Sequence, residues 1–190
     1  MVTAYLGALG LLGLERLYEL VLSRRNAERA RARGGFEVGR AQFRVMAAVH
    51  TLFLFSCAAE VALLGRAFPG VLGVVAIAAA IAAQALRYWA IRTLGESWNV
   101  RILVVPNAPP VTHGPYRFVR HPNYLAVIVE MLAVPLAHGA WITALVFSIA
   151  NALLLVLRIR AEERALGAAW SSAFARHPRF LPRLRAEVES

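Results

Sequence analysis

The chain has 190 residues, a length suited to one domain, yet 59% of them are hydrophobic and mean hydropathy is +0.56, which excludes an ordinary water-soluble globule. Only 17% are charged, and these gather into short stretches between long apolar runs, as in a polytopic membrane protein. The net charge of +10 does not indicate nucleic acid, because the basic residues flank apolar runs instead of interleaving with aromatics; they suit an anionic leaflet.

All 21 basic residues are Arg and all 11 acidic residues are Glu, a usage that fits a GC-rich bacterial coding sequence and a bacterial inner membrane. The lone Cys57 excludes an intrachain disulfide and a four-cysteine metal centre, and no metal site is expected. The first apolar segment covers about residues 3–22. No basic region precedes it, and Glu15, Arg16 and Glu19 interrupt it where a signal peptide would be cleaved, so it reads as a retained helix. Residues 23–44 contain Arg24, Arg25, Arg29, Arg31, Arg33, Arg40 and Arg44, a basic loop that the positive-inside rule places in the cytoplasm.

A second span is predicted over about 45–64 and a third over about 71–91, joined outside by a turn with helix-breaking Pro69. Residues 92–120 are broken by Gly95, Pro106, Pro109, Pro110, Gly114 and Pro115 and read as a cytoplasmic loop. Two short apolar runs, 123–137 and 140–157, meet at His138-Gly139. Each lies near the lower limit of ~17–25 residues for a crossing, which predicts a tight helical hairpin. From Arg158 the chain turns polar, starts as helix and breaks near Pro178 and Pro182. The predicted fold is all-α: a polytopic membrane bundle of about five transmembrane helices with a C-terminal cytoplasmic cofactor site, its N-terminus outside and its C-terminus cytoplasmic. Residues 1–92 would form three N-terminal spans and 93–190 the catalytic region.

Glu15, Glu19, Glu60, Arg87 and Glu130 fall inside predicted spans, where a charge costs roughly 2.5–3.5 kcal/mol on insertion scales. They are expected to pair with one another or with interfacial Arg. Glu130 is the one best placed for a ligand role, because its helix opens with the strongest motif, Gly114-Pro115-Tyr116-Arg117-Phe118-Val119-Arg120-His121-Pro122-Asn123-Tyr124. Pro122 pre-sets a first helical turn, so Arg120 and His121 stand at a helix N-terminus, whose free N–H groups and partial positive charge favour a carboxylate or phosphate. Tyr124 follows His121 by one turn and can face the same cavity. A second cluster, Arg158-Ile159-Arg160-Ala161-Glu162-Glu163, leaves the last span, with Arg158 and Glu162 spaced as an i, i+4 pair. The hairpin returns both clusters to one level, where they can form a pocket of His, Tyr, Arg and Glu roofed by residues 92–120.

The run from Gly114 to Tyr124, followed by Arg158-Ile159 and Glu162-Glu163 up to Leu166, resembles the isoprenylcysteine carboxyl methyltransferase family of membrane enzymes. The likeness covers about residues 90–182, including His177-Pro178-Arg179-Phe180-Leu181-Pro182. The N-terminal half, with Ser23-Arg24-Arg25-Asn26 and Arg33-Gly34-Gly35, looks like a bacterial branch associated with type III polyketide synthases, whose members are thought to O-methylate alkylpyrones or alkylresorcinols. Where relatives usually have Gly two residues after the motif Tyr, this chain has Leu125-Ala126, which narrows the pocket. The resemblance implies S-adenosylmethionine as cofactor, held by Gly114, Tyr116, Arg120, His121, Tyr124, Glu162 and Glu163. It implies Arg158 and Glu162 as catalytic residues acting on a lipophilic small molecule or a prenylcysteine that enters from the membrane lipids. Phospholipid or amine N-methylation is an alternative. The His-Pro-Asn-Tyr element also resembles NADPH-dependent membrane sterol reductases, which lack the Glu162-Glu163 pattern, and a non-catalytic scaffold would bind neither cofactor.

Overall fold

A computed structural model describes residues 1–180; Leu181 and Pro182 of the C-terminal motif lie outside the described residues. Five helices account for most of the chain: α1 (Val2–Ala32), α2 (Arg40–Leu63), α3 (Val71–Leu94), α4 (Pro122–Leu136) and α5 (Trp141–Ala173). By length and composition α2, α3 and α5 can each cross a bilayer. The fold is the expected all-α membrane bundle, and the chain is an integral membrane protein. At 15 residues α4 rises only ~22 Å, less than a ~30 Å hydrocarbon core, so it reaches partway and returns through a turn at residues 137–140. Gly139 turns there with φ +71°, and a Cβ would meet the Ala67 carbonyl oxygen at 3.0 Å, so both conformation and space require glycine.

Two helices outrun their apolar runs. The basic stretch after residue 22 was expected as loop, but α1 continues to Ala32, since Arg, Ala and Glu are good helix formers and nothing breaks the chain before Gly34. The second arm of the hairpin likewise continues past residue 157, and α5 reaches Ala173, interrupted only at Gly167 (φ +76°, ψ −163°). The N-terminus of α5 is capped from α2. Glu60 accepts hydrogen bonds from the Ile142 and Thr143 N–H groups (3.2 and 2.7 Å) and from the Thr143 hydroxyl (2.7 Å), while Arg66 pairs with it at 2.8 Å. A carboxylate at a helix N-terminus satisfies free donors and complements the dipole.

The apolar core joins α1, α2 and the hairpin through Tyr5, Leu9, Phe53, Cys57, Val127, Met131 and Val134. Next to this core, α1, α3 and α4 share an ionic network. Arg87 forks onto Glu19 (2.6 and 2.7 Å) and lies 3.5 Å from Glu130. Arg16 bonds Glu19 (2.9 Å), Glu130 (3.0 Å) and Gln84 (3.2 Å), and Gln84 bonds Glu15. The intraspan charges therefore pair with one another as expected, and Glu130 is one of the partners.

Two strands, which the sequence pattern did not suggest, tie together the loops that follow α1 and α3. β1 (Phe36–Val38) pairs antiparallel with β2 (Ile102–Val104), Phe36 opposite Val104. Glu37 gathers Arg101, Arg31 and Arg40 at 3.2–3.5 Å. Ser23 and Asn26 fasten the end of α1 to the exit of α3: Asn26 Nδ2 donates to the Trp98 and Gly95 carbonyls (2.8 and 3.1 Å), and Ser23 Oγ bonds Asn99 Oδ1 at 2.7 Å.

Candidate active site

The motif chain bends twice before α4. Gly114 takes φ +58°, and a Cβ there would stand 2.4 Å from Thr93 Oγ1, so this residue is a packing and turning point against α3. A single 3-10 turn (Gly114–Arg117) then buries Tyr116, and Pro122 opens α4. The turn is held from the C-terminal side: Arg120 and His121 donate their N–H groups to the Pro178 and Arg179 carbonyls (2.9 and 3.2 Å), and Arg120 Nε donates to the His177 carbonyl at 2.6 Å. These backbone donors, expected to be open to an anion, are instead taken up by the tail.

His121 and Tyr124 stack at 5.3 Å between ring centroids. From the other side Trp170 lies 5.6 Å from His121 and 4.8 Å from Phe174, a placement that follows from the break at Gly167, which re-aims the last turns of α5. Trp170 carried no sequence signal, because its position depends on that break.

Arg158 was expected beside Glu162, but no salt bridge joins them. Tyr124 stands between: its hydroxyl accepts from Arg158 Nε at 2.8 Å and donates to Glu162. Arg158 Nη2 donates to the Val100 carbonyl at 2.7 Å. Arg158 is 5% exposed and makes no ion pair among the described residues. A buried cation left without a carboxylate costs several kcal/mol, which marks the position as suited to an anionic partner. Burial, reinforced by the Glu162 charge, pushes the Tyr116 phenol well above its usual range, so it stays protonated and can donate.

Glu163 faces outward. It accepts from His121 Nε2 (3.1 Å) and from Arg179 (3.1 and 2.7 Å), holding the imidazole from behind. Neither Glu163 nor Gly114 lines the main cavity, whereas Tyr116, Arg120, His121, Tyr124, Arg158 and Glu162 all do. The cavity has a volume of about 1110 Å³ and two ends of different chemistry. One is this polar cluster with Trp98, Asn99 and Asn123; the other runs between α1 and α2 past Leu9, Leu14, Leu17, Leu54 and Phe55. The β1–β2 loops contribute Val104, Val105 and Pro106 as its roof.

A family model described as "Isoprenylcysteine carboxyl methyltransferase (ICMT) family" matches residues 74–168, from within α3 to the break in α5. The chain is also similar to "Uncharacterized protein YpbQ" of Bacillus subtilis, 40% identical over 159 residues, which is 83% of this chain and 94% of that one. An uncharacterized protein of Haemophilus influenzae is 30% identical over 152 residues, covering 80% of this chain and 88% of its own length.

Proposed function

Because this chain belongs to the isoprenylcysteine carboxyl methyltransferase family and is therefore a membrane methyltransferase, we propose that it methylates an oxygen of a lipophilic acceptor using S-adenosylmethionine. The observation that carries the proposal is the single cavity with a polar end at Arg158, Tyr124 and Glu162 and an apolar end between α1 and α2. Its volume of about 1110 Å³ lies just above the roughly 300–1,000 Å³ of small-ligand sites, enough for a cofactor beside part of an acyl or prenyl chain.

The donor set fits a zwitterionic, sulfonium-bearing cofactor. Asn123 Oδ1 and Trp98 Nε1 are buried in the lining without partners among the described residues, and Glu162 supplies a carboxylate beside the aromatic rings of His121 and Tyr124. When bound, S-adenosylmethionine supplies an activated methyl group to an oxygen nucleophile. We assign Tyr116, His121, Tyr124 and Glu162 to hold it, with Arg120 toward its carboxylate. Gly114 and Glu163 support these from outside the cavity, by turning the chain and by fixing the His121 ring. Arg158 orients the acceptor oxygen, a carboxylate or an enol or phenol, and Glu162 completes the catalytic pair by keeping Tyr124 on Arg158. For a carboxylate acceptor, which is already ionised near neutral pH, positioning and exclusion of water carry the rate and little general-base help is needed.

In this scheme residues 93–190 hold the chemistry, while 1–92 supply the acceptor wall. The acceptor enters sideways from the lipids of a bacterial inner membrane, with the N-terminus outside and the site on the cytoplasmic side. Labelled S-adenosylmethionine presented with farnesylcysteine, alkylpyrone, alkylresorcinol and phospholipid acceptors tests the proposal. Transfer to an oxygen acceptor is the expected result. Failure to bind S-adenosylmethionine, or tight binding of NADPH in its place, would overturn it.

A further inference from the structure

Between the polar cluster and the apolar channel the cavity wall contains His50, on α2. Its backbone sits one helical turn, about 5.4 Å, deeper in the membrane than Met46, which packs against Tyr124, Leu155 and Ile159. His50 is therefore on the bilayer side of the Arg158–Tyr124–Glu162 row, the side from which a lipophilic acceptor arrives.

Its protonation pattern follows from one contact. Nδ1 lies 2.8 Å from the Met46 carbonyl oxygen, and a carbonyl can only accept, so Nδ1 carries the hydrogen. A neutral imidazole has one N–H, which leaves Nε2 as a lone-pair acceptor. No group among the described residues bonds Nε2, and it is not among the polar atoms sealed away from solvent. The cationic side chains acting on this ring are Arg16, Arg87 and Arg158 from α1, α3 and α5. Arg16 and Arg87 are already paired with carboxylates, so Arg158 is the cation left to donate to an anionic acceptor oxygen, whereas His50 Nε2 offers only an acceptor.

We infer that His50 Nε2 is the specificity-determining group that accepts a hydrogen bond from the hydroxyl of the methyl acceptor. The inference rests on the proposed function and deepens it. A hydroxyl acceptor is read by His50, while a carboxylate has no hydrogen to offer it. With S-adenosylmethionine as methyl donor, the O–CH3 bond would form as the S–CH3 bond breaks and the hydroxyl proton would leave to the solvent that reaches Nε2; the ether product then has no hydrogen to offer His50 and is held less well than the substrate, which favours its release. His50 acts here as a positioning residue, through ground-state recognition.

The test uses full-length protein in nanodiscs without cofactor, with 3-pentadecylphenol and its methyl ether as the paired probes. Wild type should bind the phenol about tenfold more tightly than the ether, the effect of one hydrogen bond worth roughly 1.4 kcal/mol. His50→Phe keeps the size of the ring and removes the acceptor, so the two affinities should become equal, whereas His50→Gln, whose amide oxygen can take the place of Nε2, should keep several-fold preference. A wild-type preference that persists in His50→Phe, or equal binding of the two probes by wild type, would overturn the inference. Titration of the same samples with S-adenosylmethionine separates the two proposals: wild type that discriminates the probes but binds no cofactor sinks the enzyme assignment, and wild type that binds cofactor without discriminating sinks only the role of His50.

Discussion

The two charged clusters of this molecule are built from the same residue types and behave oppositely. In the bilayer, Arg16 and Arg87 are saturated by Glu15, Glu19, Glu130 and Gln84, and these groups hold α1, α3 and α4 together. At the other cluster Arg158 is as buried as Arg87, yet among the described residues it bonds only a phenol and a backbone carbonyl, with the Glu162 carboxylate on the far side of that phenol. A buried cation whose counter-charges are all in place is structural. One left short of a counter-charge, on the wall of a cavity, is available to a ligand. Charge inside a membrane protein thus becomes informative once its partners are counted.

The sharpest way to break that contrast is to remove one partner from the closed cluster. Arg87→Ala leaves Glu19 and Glu130 short of a cation and should cost about 3–5 kcal/mol, read as a large drop in thermal unfolding temperature in detergent. Replacing Arg87 and Glu19 together with Leu keeps the charge balance of the cluster, so it should recover much of that loss. A single Arg87→Ala variant as stable as wild type would deny the network its structural role.

The open cluster should respond in the opposite sense. Arg158→Ala removes a buried cation that has no direct ion pair among the described residues, so the unfolding temperature should stay within a few degrees of wild type. Methyl transfer should fall by about 10²-fold or more, the scale of losing one positioned donor in an active site. S-adenosylmethionine affinity, read by calorimetry, should remain nearly intact. Loss of that affinity would reassign Arg158 from acceptor to cofactor.

Much of this arrangement was readable from residue order, and the exceptions share a cause. Hydropathy located the spans, and the Gly114–Tyr124 and Arg158–Glu163 runs stood out because polar residues at a helix start and a helix exit are conspicuous between apolar runs. What escaped was decided by tertiary placement. Arg16, taken as an interruption to a signal peptide, became a hub because α3 and α4 deliver Gln84 and Glu130 to it. The i, i+4 spacing of Arg158 and Glu162 suggested an ion pair, but Tyr124 from another helix offers a shorter path between them. β1 and β2 have three residues each, too few for alternation to register, and they pair only because α1 and α3 end side by side. The positions of Trp170 and His50 at the cavity follow from a backbone break in α5 and from the packing of α2 against α5, which are decided by tertiary placement.

The rim of the open cluster provides the smallest effect and the finest division between site and scaffold. Arg179 forks onto Glu163 at 3.1 and 2.7 Å, but its side chain is 52% exposed, and an exposed pair is worth about 0–1 kcal/mol and weakens with salt. Glu163 keeps its contact with His121 when Arg179 is removed, and the tail stays attached through the Arg120 and His121 N–H groups. Arg179→Ala should therefore lower stability by less than about 1 kcal/mol, a difference that shrinks further in high salt, and should reduce kcat/KM only a few-fold. Unfolding curves and kinetics at two ionic strengths provide the check. A large, salt-independent loss of transfer would move Arg179 from the rim into the site and show that the His121 ring depends on the whole Arg179–Glu163–His121 relay, with Glu163 alone unable to hold it.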